Sequence, residues 1–232
     1  MIIKVCGMRD ADNIHAVAEL GVDMLGFIFA PASPRFVRMI SSKAGILPDY
    51  SESRLKASRG MPDELSATKP KRVGVFVDDM PQNIITRIYN YSLDFVQLHG
   101  SESPTMIENL RRTVVPDITG HIGIIKSVNV ASASDFEVCE AYEGLVDYFL
   151  FDTKSSVPGG SGVGFNWSLL SNYHGTIPFL LSGGIGPDDV EKVKAFRHPR
   201  FAGIDLNSRF ETEPAMKDVE KLRTFIKEIR DE

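Results

Sequence analysis

Cysteine is scarce in this chain: Cys6 and Cys139 are the only two in 232 residues. Two thiols so far apart build no disulfide framework, and no C-x-x-C or Cys/His spacing offers a metal site. A reducing, cytoplasmic setting is expected. Positive charge is not in excess either. Lys and Arg total 26 against 31 Asp and Glu, a net charge of −5, so the basic stripe of a nucleic-acid binder is missing. No apolar run approaches the roughly 18–20 residues of a membrane helix. The first residues run straight into a strand-like segment, with no charged-then-apolar leader. Nucleic acid and membrane are therefore not expected partners. A small anionic ligand held by a few local donors remains compatible with the charge.

What is present is alternation. Apolar, β-branched runs of strand length recur at 2–6, 24–29, 72–77, 94–98, 122–127, 147–152, 177–181 and 201–206. Segments able to form helices lie between them. The clearest are 10–20 and 214–230; the others cover 41–47, 81–91, 103–113, 132–143, 166–171 and 187–196. Strands alternating with helices imply βαβ units and a parallel sheet, and near-continuous apolar strands imply a sheet covered on both faces. Eight such pairs in 232 residues fit one (β/α)8 barrel domain, the TIM barrel of the α/β class, with no length left for another domain. A doubly wound open sheet is the competitor. It would ordinarily carry a Gly-rich phosphate loop after its first strand, where this chain reads Cys6-Gly7-Met8-Arg9. Asp10 is suited to cap the first helix, and Pro81, Pro104, Pro187 and Pro214 stand where first-turn prolines are tolerated. The polar stretch 48–71 reads as a flexible surface insertion between the second helix and the third strand.

A barrel enzyme carries its chemistry at the carboxyl ends of its strands. The residues found there are Cys6, Arg35, Asp78, His99, Lys126-Ser127, Asp152, Ser182-Gly183-Gly184, and Asp205 with Asn207-Ser208. Gly159-Gly160-Ser161-Gly162 follows strand six and Gly183-Gly184 follows strand seven. Glycine lets backbone N–H groups approach a phosphate closely. Two such clusters beside Asn207-Ser208 point to a phosphate site, although glycines also simply make tight turns. Cys6 and Asp152 end strands on nearly opposite sides of the mouth and are suited to act as an acid–base pair. Taken singly, each has a plainer reading, as a buried thiol and a loop-bonding carboxylate. Arg35, stiffened by Pro34, suits bidentate capture of a carboxylate or a solvated surface position. Lys4 shares the inward face of strand one with Cys6 and needs a buried partner, for which Asp205 on strand eight is the candidate. His99 shows no partner pattern and reads as a positioned structural residue. Trp167 reads as a packing anchor.

Taken together, these segments resemble phosphoribosylanthranilate isomerase. They are K-V-C-G-M at 4–8, G-F-I-F at 26–29, S-P-R-F at 33–36, V-G-V-F-V at 73–77, V-Q-L-H-G at 96–100, F-D-T at 151–153, G-G-S-G at 159–162 and L-S-G-G-I at 181–185. They run in the family's order over nearly the whole chain, with 48–71 outside them. The resemblance implies a (β/α)8 barrel of tryptophan biosynthesis. Its reaction is an Amadori rearrangement, aldose to ketose, giving 1-(2-carboxyphenylamino)-1-deoxyribulose 5-phosphate without metal or organic cofactor. It further implies Cys6 as general base, Asp152 as general acid and Arg35 on the anthranilate carboxylate. Gly160, Ser161, Gly162, Ser182, Gly183, Gly184, Asn207, Ser208 and Arg209 would surround the substrate's phosphate. A monomer or homodimer is implied, with possible association with other enzymes of the pathway.

One position departs from the pattern. Many members read D-V-S-S-G-V-E after strand eight, whereas this chain has Asp205-Leu206-Asn207-Ser208-Arg209-Phe210-Glu211. Either a backbone donor is lost at Arg209 or its side chain reaches the phosphate. A metal-dependent epimerase would need more His and Asp on strand ends than His99 alone. Indole-glycerol-phosphate synthase would need catalytic lysines and a glutamate there. A non-catalytic phosphosugar-binding barrel would need neither Cys6 nor Asp152.

Overall fold

The computed structural model describes residues 1–38, 70–152 and 167–230. Eight parallel strands close in sequence order, each hydrogen-bonded to the next and β8 to β1. They are β1 (Ile2–Cys6), β2 (Met24–Ile28), β3 (Lys71–Phe76), β4 (Phe95–Leu98), β5 (Gly123–Asn129), β6 (Tyr148–Asp152), β7 (Phe179–Ser182) and β8 (Phe201–Leu206). Closure in this order excludes the open doubly wound sheet. Outside the strands run α1 (Ala11–Ala18), α2 (Pro81–Tyr91), α3 (Pro104–Val114), α4 (Val190–Ala195) and α5 (Val219–Arg230). Among the described residues no helix is long and apolar enough to cross a membrane.

The alternation of strand side chains divides the core in two. Inside the barrel, Met24, Val73, Ile125, Leu150 and Leu180 pack with Ile2, Phe95, Tyr148 and Ala202. The other set, including Ile3, Val5, Leu25, Phe27, Phe149, Phe151, Phe179 and Ile204, meets the helices in a larger outer cluster. Both faces are dry, and so runs such as Phe149-Leu150-Phe151 are continuously apolar. At Gly203 the close approach of strands is absolute: a Cβ there would lie 2.0 Å from the Ile2 carbonyl oxygen.

Helix starts follow the sequence signals. Asp10 accepts from the Asn13 N–H at the head of α1, and Pro81 and Pro104 occupy first-turn positions of α2 and α3. Four helix expectations need correction. The 132–143 segment is a 3₁₀ helix, Ala133–Tyr142. Its buried residues Phe136, Cys139 and Tyr142 recur every third position, the period at which 3₁₀ side chains eclipse. The 166–171 segment is likewise 3₁₀, at Trp167–Asn172, and 187–196 splits into a 3₁₀ turn, Pro187–Asp189, followed by α4. The final helix starts at Val219 rather than at 214, because a hairpin precedes it: β9 (Glu211–Glu213) and β10 (Met216–Lys217). Pro214 is the first turn residue of that hairpin and Ala215, at φ 71°, the second, the pattern of a turn with a left-handed third residue. The expected helix at 41–47 and residues 48–69 of the expected insertion lie outside the described residues. Lys71, placed at the insertion's end, instead opens β3.

Candidate functional site

Every inward-facing side chain that passes the apolar barrel floor arrives at the carboxyl-end mouth. On β1 these are Lys4 and then Cys6. Register pairs Cys6 with Gly26 on β2 and Lys4 with Asp205 on β8. Lys4 is fully buried, and its Nζ donates to Asp205 Oδ1 at 2.7 Å, so the pairing expected from strand alternation is present. Burial pulls the Lys4 ammonium down, but Asp205 and Cys6 together outweigh it and the net direction is up. A buried ion pair of this kind costs about 3–5 kcal/mol to break one-sidedly. Ser182, expected at the phosphate, donates its hydroxyl to Asp205 Oδ2 at 3.3 Å and so ties β7 into the same cluster.

Cys6 is a free, buried thiol. Burial pushes it up, the Lys4 ammonium beside it pulls it down, and burial prevails. Its space is created by a missing side chain: a Cβ on Gly26 would stand 2.6 Å from Cys6 Sγ and 3.1 Å from its Cα. We predict that Gly26→Ala displaces the thiol. Turnover should fall about tenfold or more, because an ångström of misplacement can cost a hundredfold, while overpacking takes about 1–3 kcal/mol from stability. Steady-state rates paired with a thermal melt would test this. A variant with wild-type kcat would refute it. The other thiol, Cys139, is pushed up to about 12 by burial and by Glu143 and lies in the outer cluster, away from the mouth.

Gly7 follows Cys6 at φ 80°. A Cβ here would meet Arg35 Cδ at 2.6 Å and Asn207 Oδ1 at 2.8 Å, so only glycine lets these two side chains close around the end of β1. Arg35 is partly buried and paired. Its Nε lies 2.8 and 3.0 Å from the two Glu211 carboxylate oxygens and its Nη2 lies 2.6 Å from Oε2. Lys217 Nζ bonds the same carboxylate at 2.5 Å and Asn207 Oδ1 at 2.9 Å. Burial pushes Glu211 up, but hydrogen bonds from Arg35 and Lys217 outweigh it and hold the carboxyl below its usual range. For Lys217 burial wins and its pKa is lowered. Glu211 and Lys217 carry no local signal in the sequence; a hairpin turns the chain back so that β9 and β10 deliver both side chains to one point.

The expected phosphate residues divide. Gly183 and Gly184 have φ of 95° and 75°, a backbone that places consecutive N–H groups as only glycine readily allows. Ser208 opens a 3₁₀ turn, Ser208–Phe210, after β8. The Arg209 side chain crosses to the β7 loop, with Nε 3.0 Å from where a Gly186 Cβ would stand. Gly160, Ser161 and Gly162 lie outside the described residues.

Asp152 ends β6, buried, in register with Asn129 and Ser182. His99 Nε2 lies 3.6 Å from its Oδ2, and Gln97 Nε2 lies 3.0 Å from His99 Nδ1. The partners that the sequence did not reveal for His99 thus come from two residues back on the same face and from two strands away. Lys126 and Asp78, both at strand ends, serve structure. Lys126 points away from the barrel interior, to the Gly100 carbonyl at 2.6 Å and Glu102 Oε2 at 3.2 Å. Asp78 accepts from the Ser101 N–H at 2.6 Å and its hydroxyl at 2.8 Å. Trp167 packs edge-on against Phe196 at 5.5 Å, as an anchor should. Among the described residues no cluster of three His, Cys, Asp or Glu could hold a metal ion.

A closed parallel barrel with ionisable groups gathered at its carboxyl end is the build of a (β/α)8-barrel enzyme; the fold alone leaves the reaction open. The sequence resolves it. The family model of N-(5'-phosphoribosyl)anthranilate (PRA) isomerase matches residues 3–228. An N-(5'-phosphoribosyl)anthranilate isomerase from Parabacteroides distasonis is 46% identical over 229 residues, 99% of this chain and 93% of the relative. One from Phocaeicola vulgatus is 41% identical over 230 residues, 99% and 98% of the two chains. A crystal structure of a phosphoribosyl anthranilate isomerase in complex with reduced 1-(o-carboxyphenylamino)-1-deoxyribulose 5-phosphate superposes with a TM-score of 0.73, at 27% identity and full coverage of both chains. The chain belongs to the N-(5'-phosphoribosyl)anthranilate isomerase family and is an isomerase.

Proposed function

We propose that the chain converts N-(5'-phosphoribosyl)anthranilate to 1-(2-carboxyphenylamino)-1-deoxyribulose 5-phosphate in tryptophan biosynthesis, with Asp152 as general acid and Cys6 as general base. Asp152 gives a proton to the furanose oxygen, the ring opens, and a protonated imine forms at C1. That cation acidifies the C2 proton by electron withdrawal, and Cys6 removes it. The enolamine that results tautomerises to the ketone. The observation that carries this reading is the arrangement of the mouth, with a buried thiol over a lysine on β1 and a buried carboxylate ending β6 on the far side. Proton transfer in both directions across one substrate needs two such groups facing each other.

Arg35 is the anchor for the anthranilate carboxylate. Glu211 takes the Nε and Nη2 edge, fixing the guanidinium plane so that the Nη1 side meets the ligand. A carboxylate bound there would sit beside Cys6, since Arg35 and Cys6 flank Gly7. The phosphate is held by the glycine turn at 183–184, by Asn207 and Ser208, by Arg209 replacing the family's glycine, and by Gly160, Ser161 and Gly162. The setting is the cytoplasm, and the protein works as a monomer or homodimer.

Loss of the anthranilate fluorescence of the substrate measures turnover directly. The wild type should consume it; an inert wild type would refute the activity. Arg35→Lys should raise KM at least tenfold, since a point charge cannot replace a bidentate fork, with a smaller change in kcat. An unchanged KM would move the carboxylate elsewhere.

A further inference from the structure

We infer that His99 is the positioning residue for Asp152, held by Gln97 in the tautomer that offers an Nε2 proton to the carboxylate. The inference rests on the reading of Asp152 as the acid and deepens it. Gln97, His99 and Asp152 line the barrel interior in sequence, Gln97 and His99 from the same face of β4 and its end, Asp152 from the end of β6. Gln97 Nε2 is a donor, and it stands 3.0 Å from His99 Nδ1. With the Gln97 amide nitrogen turned to the ring, Nδ1 accepts and the ring proton stands on Nε2, an assignment that is part of the inference. Nε2 faces Asp152 Oδ2 at 3.6 Å. That is longer than a hydrogen bond, as contacts of empty active sites often are before substrate draws them together.

Two further observations show that the imidazole is held on purpose. Gln97 is buried, and its Oε1 has no hydrogen-bond partner among the described residues. Among the described residues the imidazole is thus the one hydrogen-bond partner of this buried amide. The backbone around His99 is pinned on three sides. The His99 N–H donates to the Phe76 carbonyl at 2.8 Å. Lys126 Nζ holds the Gly100 carbonyl on its far side at 2.6 Å. Glu102 accepts the Gly100 N–H at 3.0 Å and the Asp78 N–H at 3.0 Å. The Lys126–Glu102 pair is almost fully buried, so the loop that carries His99 is built on a rigid footing.

The chemical consequence concerns which oxygen does the work. A donor on Oδ2 fixes the carboxyl plane and with it the direction from which the acid's proton reaches the ring oxygen of the substrate. Once that proton has gone, the same N–H stabilises the carboxylate left behind. The imidazole neither gains nor loses a proton in this role.

The test is a double-mutant cycle in the fluorescence assay. His99→Leu should lower kcat about tenfold to a hundredfold, as expected when a reacting group loses its orientation, with KM within about twofold, because the substrate's carboxylate and phosphate are held elsewhere. His99→Gln keeps an N–H near the Nε2 position and should recover most of the rate. In an Asp152→Asn background His99→Leu should have no further effect. A His99→Leu enzyme with wild-type kcat, or one slowed equally in both backgrounds, would overturn the inference. A fully active Asp152→Asn would instead overturn the acid assignment beneath it. Circular dichroism and a thermal melt on each variant separate these outcomes from misfolding. Should His99→Leu fail to fold, His99→Gln decides: its kcat within about fivefold of wild type upholds the inference, and a loss as large as removing the acid refutes it.

Discussion

Cys6→Ser should leave no more than about a hundredth of the wild-type turnover, and as little as about a ten-thousandth, the range that a positioned general base contributes. The substitution changes little else. A hydroxyl is smaller than the thiol but removes no whole heavy atom, so most of the space made by Gly26 stays filled and the Lys4–Asp205 pair keeps its geometry. The loss should therefore appear in kcat, with KM and the melting temperature close to wild type. What disappears is an ionisable group: serine does not form an anion at any pH the fold survives. Thiol chemistry gives an independent check with a definite sign. Burial raises the Cys6 pKa, so near neutral pH the group is a thiol. Its alkylation by iodoacetamide should be slow there and should keep accelerating with pH beyond the range of an ordinary cysteine, since the thiolate is the nucleophile. Cys139, at about 12 and in the outer cluster, should stay unlabelled until the protein unfolds. Substrate-rate turnover in Cys6→Ser would show that the C2 proton leaves to some other group.

Asp152→Asn should be comparably severe, about a hundredfold to ten-thousandfold, and diagnostic in a different way. The amide fills the same space but cannot supply a proton to the furanose oxygen, so the reaction stops before the imine forms. Cys6→Ser should stop it after that step. The two variants are thus distinguishable by what accumulates. Rapid quench of substrate with Cys6→Ser should trap an open-chain imine, reducible by borohydride. Asp152→Asn should return only closed-ring substrate. Finding the reducible species in both, or in neither, would contradict the assignment of acid and base to separate steps.

The barrel was legible because its physics is local. Each strand repeats the same pattern, apolar on both faces and ended by a polar or glycine turn, and eight repetitions leave little freedom. Cys6, Asp152 and the Lys4–Asp205 pair followed from the same logic, since strand ends and strand alternation fix where such residues point. What escaped was set by contacts between distant segments. Glu211 and Lys217 read as members of an ordinary loop and helix, because nothing local announces that Pro214 and Ala215 reverse the chain beneath Arg35. His99 looked partnerless because one partner lies on β6, 53 positions on by its number. Lys126 stands near a strand end but with outward parity, next to the inward-facing Ile125. One residue earlier or later along β5 is the difference between facing substrate and facing the helices. The 3₁₀ segments fit an α-helical expectation for a related reason: a buried residue at every third position satisfies a loose helical pattern as easily as a tight one.

The ionic cluster around Cys6 has an electrical imbalance. Lys4, Lys217 and Arg35 bring three positive charges, and Asp205 and Glu211 bring two negative ones. The cluster can neutralise one more anion from within or from outside, but not two. On the proposed mechanism a substrate carboxylate docked on Arg35 would occupy that vacancy and hold Cys6 all the more firmly as a thiol. Opening the sugar ring would then create a cation and restore the imbalance. The base would thereby be armed by the intermediate it is meant to deprotonate and kept silent before that. The ultraviolet absorbance of a thiolate should then be absent from the complex with a closed-ring analogue and should appear with a stable iminium mimic. A thiolate already present in the closed-ring complex would show that the charges are not ordered in time.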